Sequence, residues 1–141
     1  MTNFDNLSYL FREPEYPVIV EIGDELFAAK SVKPLYEKLS RLDIAEDKAY
    51  EAIDATGETW IFMLTQGVAI LSPINFKKEP SKLELIRWFN SRKNKPSDEV
   101  EYSEKSLSSK RRDRIIAEIA DRLLDAEKRM RRFKTRTNIG K

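Results

Sequence analysis

Residues 60–64 read Trp-Ile-Phe-Met-Leu, five apolar side chains in succession. Successive side chains of a strand point to opposite faces, so this run is apolar on both faces, which is typical of a central strand covered on both sides. The preceding residues Asp54-Ala55-Thr56-Gly57-Glu58 are a polar connection of hairpin length, and residues 48–53 form a second β-type run before them. We therefore predict that the middle of a sheet lies here.

Three further short strands are predicted on either side of this hairpin. Gln66-Gly67 introduces a strand over residues 68–71. Gly23-Asp24-Glu25 is a turn between β-type runs at 17–22 and 26–29. The count of predicted strands is about five.

Helical spacing of apolar residues predicts a first short helix over residues 31–42. Ser81-Lys82-Leu83-Glu84 matches the capping box, which predicts a second short helix over residues 82–91. Strong helix formers without Gly or Pro predict a long helix over residues 104–134. The expected fold is α+β, with a small mixed or antiparallel sheet, two short helices and one long C-terminal amphipathic helix.

The expected organisation is a compact domain followed by an appended helix. We assign residues 1–91 to an α+β domain, and the polar, Pro-containing residues 92–103 to a linker. Residues 104–134 are the long basic amphipathic helix, and residues 135–141 are a frayed tail.

An apolar stripe with the alternating three- and four-residue spacing of a coiled-coil seam runs along this helix. It covers about two and a half heptads, fewer than the roughly three to four that indicate an extended coiled coil. Ile115 and Ala120 widen the stripe in the first half, and it narrows beyond Leu124, so we expect the helix to begin docked and end projecting. As the candidate protein interface we take Ile116, Ile119, Leu123, Ala126, Met130 and Phe133.

Acidic and basic residues are unevenly distributed along the chain. Residues 1–102 hold 13 Lys/Arg and 18 Asp/Glu, residues 103–141 hold 13 and 6, and the whole chain carries a formal charge of +2. An acidic body with a basic helix favours association with a protein partner or with a second copy through complementary charge.

Two basic clusters on the helix favour a different hypothesis, contact with a nucleic-acid backbone. Their members are Lys110, Arg111, Arg112, Arg114, Lys128, Arg129, Arg131, Arg132, Lys134 and Arg136. Glu118, Asp121, Asp125 and Glu127 lie between the clusters and would repel phosphate.

The same charges also have an ordinary interpretation as a solvated helix face. Glu118 with Arg122, Asp125 with Arg129, and Glu127 with Arg131 are acid-before-base pairs four residues apart. Each such pair stabilises a helix by only about 0.2–0.5 kcal/mol.

Composition excludes several classes of chemistry. The chain has no Cys and no His, which removes thiol and imidazole catalysis and most zinc, copper and haem sites. Its four glycines lie too far apart for a Gly-rich phosphate loop. We expect no catalytic residue, no cofactor and no metal, although a cofactor-free enzyme that uses carboxylate or Lys chemistry stays open as a third hypothesis.

The N-terminal residues 1–11 lack the pattern of a signal peptide. The longest apolar stretch, 60–71, is interrupted by Thr65, Gln66 and Gly67 and is shorter than the about 20 residues of a membrane span. We expect a cytoplasmic protein that does not enter a membrane. The expected function is a small non-enzymatic interaction or regulatory module that self-associates or binds a protein partner through its C-terminal helix. Nucleic-acid binding through the basic clusters is the alternative.

Overall fold

The structure of this chain is a computed structural model that describes residues 7–74 and 78–139, with the side chains of these ranges except those of 106 and 132–139. It has the predicted α+β architecture, and its last helix is long. The strands are β1 Leu7–Tyr9, β2 Val18–Ile22, β3 Glu25–Ala29, β4 Tyr50–Ile53, β5 Thr59–Thr65 and β6 Val68–Pro73. The helices are α1 Val32–Ser40, α2 Lys82–Asn90 and α3 Arg112–Ile139, with a short 3-10 helix at Glu104–Leu107.

The strands form one mixed sheet in the order β1-β6-β5-β4-β2-β3. β1 pairs with β6 in parallel, and the other neighbours are antiparallel. The described residues thus contain six strands instead of about five. The additional strand is β1, whose three residues are too few to show a period of two in the sequence.

The turn between β5 and β6 shows how local sequence fixes the pairing of the central strands. Gln66 and Gly67 have φ angles of 49° and 76°, as a two-residue type I′ hairpin turn requires. The Glu46 carboxylate accepts hydrogen bonds from both of their amides, at 3.3 and 3.2 Å. The register then sets Met63 opposite Ile70 across the β5–β6 pair.

The sheet carries a hydrophobic core on each face. The first core packs α1, through Leu35 and Leu39, against alternate strand residues such as Trp60 and Phe62. The second core packs α2 and α3 against the opposite face of the sheet. Its strand members come from β2, β3 and β4 and are Ile19, Leu26, Ala28 and Ile53.

The short helices lie close to their predicted positions. At the start of α2 the capping box is present, because the Ser81 hydroxyl accepts from the Glu84 amide and the Glu84 carboxylate accepts from the Ser81 amide. The long helix differs at both ends, since α3 begins at Arg112 instead of 104 and continues to Ile139 instead of 134. Residues 140 and 141 of the predicted tail lie outside the described part of the chain.

The segment that we expected to be a linker packs on the body instead. Arg92 and Tyr102, at its two ends, are buried. Between them, the Asn94 side-chain amide donates to the Leu26 carbonyl and accepts from the Leu26 amide, at 2.8 and 2.9 Å. Leu26 lies on β3, an edge strand of the sheet. Asn94 therefore occupies backbone groups through which another strand could add to this edge.

Candidate interaction surfaces

Most of the predicted seam of α3 lies inside the second core. Ile116 and Ile119 are fully buried there, and Leu123 and Ala126 are 5% and 4% exposed. The second core, to which the chain's own sheet and α2 contribute, contains Ile116, Ile119 and Leu123, and Ala126 is buried as well. They can meet a partner only if α3 detaches from the body, so a partner surface must be sought elsewhere on the helix.

The stripe emerges from the body one turn later. Met130 follows Ala126 at the same spacing and is 42% exposed. Phe133 takes the next position of the stripe, but its side chain lies outside the described part of the chain. The helix thus begins docked, and its described residues 128–131 are exposed.

The first basic cluster is largely neutralised within the chain. Lys110 and Arg114 share the Glu118 carboxylate, at 2.6 and 3.0 Å, and the Tyr102 hydroxyl donates to the same carboxylate at 2.7 Å. The hydrogen bond from Lys110 is the largest cause that lowers the pKa of Glu118, to about 2. The same hydrogen bond raises the pKa of Lys110. Little net positive charge is left at this point of the helix for a phosphate.

Arg112, another member of this cluster, fastens the start of α3 to the sheet. Its guanidinium pairs with Glu79 and donates to the carbonyls of Thr56 and Pro80, at 3.4 and 3.3 Å. The turn before β5 favours glycine at position 57, whose φ of 87° lies in the left-handed region, and a Cβ atom there would also lie 2.8 Å from the Arg112 Nε. In this cluster, Arg111 is exposed and makes no ion pair with a described residue.

The ion pairs of Glu118 lead to a prediction about acid stability. Because its pKa is about 2 in the folded chain and near the ordinary 4.5 when unfolded, its contribution to stability is complete above about pH 5 and is lost as the pH falls towards 2. We expect Glu118→Gln to flatten the fall of the melting temperature between pH 5 and 3. Glu101→Gln, at an exposed carboxylate, is the control that keeps the wild-type slope. Equal slopes for wild type and Glu118→Gln would contradict the assignment.

The second basic cluster is more strongly charged than the first. Residues 128–139, which we call the distal segment, contain six Lys/Arg and no Asp or Glu. Residues 1–127 contain 19 Lys/Arg and 24 Asp/Glu. Its first turn is still tied to the body, because Arg129 pairs with Asp98 at 2.6 Å. All of the excess positive charge of the chain therefore lies beyond residue 127.

Among the described residues, one of the three ion pairs predicted along the helix face forms, between Glu127 and Arg131 at 3.7 Å. Glu118 binds Lys110 and Arg114 instead of Arg122, and Arg129 binds Asp98 instead of Asp125. Arg129 thus exchanges a local pair for a contact with the body on which α3 is docked, whereas Glu118 keeps a local partner in Arg114.

A second candidate surface was missed in the sequence and lies on the sheet. Ile61, Met63 and Ile70 share the face that carries α2 and α3, yet they are only partly buried and belong to neither core. We call these three residues the open face. The central strand β5 was predicted to be covered on both sides, and the described residues bury Trp60, Phe62 and Leu64 on one side but Ile61 and Met63 only in part on the other. The sequence contained a signal for this surface. The run 60–64 is apolar on both faces, and two short helices and one long helix are few for covering both faces of a sheet of this width.

A groove lies where the sheet meets α2, beside the open face. Its volume is about 230 Å³, and its strand residues are Glu51, Ala52, Ile53 and Thr59. From the other side it is lined by Lys78, Pro80, Glu84, Leu85 and Trp88. The Trp88 indole is held in place by a 2.7 Å hydrogen bond to Glu21. The groove has an apolar floor, and carboxylates line it on both sides.

Other kinds of site find no support in the described residues. Within 7–74 and 78–139 no three acidic side chains come together in a way that could hold a metal ion. None of the helices in these ranges has the length and apolar content needed to cross a membrane.

Comparison of the chain with protein-family models, with curated proteins and with solved structures found no match.

Proposed function

We propose that this protein is a protein-interaction module that self-associates, with the distal segment of α3 in one copy binding the acidic body of another. The observation that carries the proposal is the division of charge at residue 127. The distal segment has six positive charges and no negative one, whereas residues 1–127 have five more acidic than basic residues. Charge complementarity of this kind steers two surfaces together and fixes their orientation.

The acidic body that meets the distal segment belongs to another molecule. α3 runs from Arg112 to Ile139 as one helix without Gly or Pro, the residues that most often allow a sharp bend. Arg129, near the start of the distal segment, pairs with Asp98 of the body, and at a rise of about 1.5 Å per residue residues 130–139 beyond it span about 15 Å. We propose that this length of helix reaches a second molecule.

The apolar stripe of the distal segment favours a protein surface as its binding partner. Met130 is exposed in line with the buried Leu123 and Ala126, so the stripe that docks the first half of α3 continues into the distal segment. A helix with an apolar stripe and a charged remainder suits a hydrophobic groove with an oppositely charged rim. Docking would also add tertiary packing to this end of the helix, and most helix stability in proteins comes from packing.

Two distal segments are not expected to bind each other. Pairing them side by side would bring six positive charges close to six others. Like charges placed together across an interface cost several kcal/mol. This favours binding of a distal segment to an acidic body over a coiled coil of two C-terminal helices.

Nucleic-acid binding is the second candidate, and the uninterrupted positive charge of the distal segment favours it. The first basic cluster offers less to it, because Glu118 and Glu79 balance two of its four positive charges. Nucleic-acid binding predicts strong absorbance at 260 nm in the purified protein and an affinity that falls steeply as salt displaces the phosphate contacts.

Removal of charge from the distal segment tests the proposal. We expect Lys128→Gln, Arg131→Gln and Arg132→Gln, combined in one chain, to abolish the excess mass of the full-length protein in light scattering. The control is Lys33→Gln, Arg41→Gln and Arg111→Gln, which removes three charges from exposed positions elsewhere and keeps the wild-type mass. An unchanged mass of the distal variant, or equal losses in both variants, would contradict the proposal.

A further inference from the structure

We infer that the open face, with the groove beside it, is the site on the acidic body that receives the distal segment of a second copy. This inference rests on the proposed function and adds the position of the binding site. It joins two surfaces that the described residues leave partly exposed, an apolar patch of the sheet and an amphipathic helix end.

The sequence of β5 indicates that the open face has a cover. Strands with one face in water alternate apolar and polar residues, whereas Trp60 to Leu64 is apolar throughout. On the first face, Trp60, Phe62 and Leu64 are covered by the chain itself. On the other face Ile61 and Met63 are only partly buried, and within the described residues neither core includes them. Met63 lies opposite Ile70 across the strand pair and Ile61 precedes it on the same face, so the three form one partly exposed apolar patch.

The shape of the uncovered area fits one helix. α2 and α3 pack on the sheet through β2, β3 and β4, and on the neighbouring strands β5, β6 and β1 the described residues leave Ile61, Met63 and Ile70 partly exposed on this side. Neighbouring strands lie about 4.8 Å apart, so these three strands span about 10 Å from the first to the last. This is close to the diameter of an α-helix with its side chains, about 10 Å. A helix in this position would lie beside α2 and complete the layer.

The chemistry of the area suits the distal segment. Ile61, Met63 and Ile70 supply an apolar strip for the stripe that contains Met130. Glu51 and Glu84, both exposed, line the adjacent groove and supply negative charge for Lys and Arg side chains. Lys78 is the one basic residue among those that line the groove.

Cross-linking between engineered cysteines tests this position directly, because the chain has no Cys of its own. One full-length copy carries Thr65→Cys, on the same face of β5 as Met63, and a second copy with a larger tag carries Thr135→Cys in the distal segment. Neither change removes a charge or an apolar side chain. With a short bis-maleimide we expect a product with the mass of one copy of each. The control copy carries Ser31→Cys, an exposed position at the start of α1 on the opposite face.

A product that forms no faster with Thr65→Cys than with Ser31→Cys would overturn the inference. A second measurement keeps the two proposals separate. We expect Ile70→Lys, on the open face, to reduce the mass of the full-length protein to that of one chain, while Val32→Lys on α1 leaves it unchanged. If the distal charge variant loses association but Ile70→Lys does not, the open face is not the binding site, and the proposed function stands. If the wild-type protein is monomeric, both proposals fail.

Discussion

Replacement of Arg92 by Ala is expected to lower the free energy of unfolding by about 3 kcal/mol or more, since breaking a buried ion pair leaves the partner charge uncompensated. The Arg92 side chain is 0% exposed and that of its partner Glu99 is 7% exposed. The Arg92 guanidinium also donates to the Phe89 carbonyl at 2.9 Å and lies 4.1 Å from the centre of the Phe89 ring. Urea denaturation of the variant and of the wild type measures the difference.

A double variant distinguishes loss of the charge pair from loss of packing. Because apolar residues of similar volume often replace a buried ion pair without cost, Arg92→Met combined with Glu99→Met should recover most of the stability that Arg92→Ala loses. Glu101→Gln, at an exposed position two residues away from Glu99, serves as a control near wild type. A loss below about 1 kcal/mol for Arg92→Ala, the range of exposed ion pairs, would mean that residues 92–103 behave as a linker after all.

The second large effect concerns two positions of one stripe, seven residues apart. Leu123→Asp is expected to destabilise the chain by about 4 kcal/mol or more, because it removes a buried aliphatic side chain and buries a carboxylate in its place. Met130→Asp is expected to change stability by no more than about 0.5 kcal/mol, as at most exposed positions, and to abolish self-association. Their exposed fractions, 5% and 42%, are the reason for the difference.

Circular dichroism melts and light scattering on the same samples separate the two outcomes. We expect Leu123→Asp to have a much lower melting temperature than wild type, and Met130→Asp to melt like wild type but to have the mass of a single chain. If Met130→Asp were as unstable as Leu123→Asp, the distal segment would be part of the core. If both were stable and still associated, the stripe would not be the interface.

The parts of the fold that the sequence predicts are those set by neighbouring residues. The capping box at Ser81 and the turn at Gln66 and Gly67 depend on only a few neighbouring residues, so these patterns can be recognised without knowledge of the rest of the fold. The same holds for the helical content of α3. The order of the strands and the added strand β1 depend on pairing between distant segments, which no local pattern records.

The apparent linker shows why polar composition misleads. Arg92, Asn94 and Glu99 indicate a solvated segment by residue type, yet Arg92 and Glu99 bury each other and Asn94 binds the backbone of a strand 68 residues earlier. Residue type predicts exposure only where a polar side chain lacks a partner, and these partners are set by the tertiary fold.

The sequence predicts which residues form the apolar stripe of α3, but not which of them are exposed. The spacing of Ile116, Leu123 and Met130 shows correctly that they share a face of α3, but the same spacing serves a helix docked on its own sheet and a helix that binds another chain. Only the structure shows that the stripe changes from covered to exposed between Ala126 and Met130. The division of charge at residue 127, visible in the sequence, marks the same boundary.

The mass of the full-length protein in solution tests the central claim most directly. Light scattering should be recorded at low and at high salt, with the ratio of absorbance at 260 and 280 nm taken for the same peak. We predict a multiple of the 16.5 kDa chain mass at low salt, a decline towards one chain as salt screens the distal segment, and the absorbance ratio of pure protein. A single-chain mass at low salt and high protein concentration would contradict self-association, and excess mass with strong 260 nm absorbance would favour nucleic acid instead.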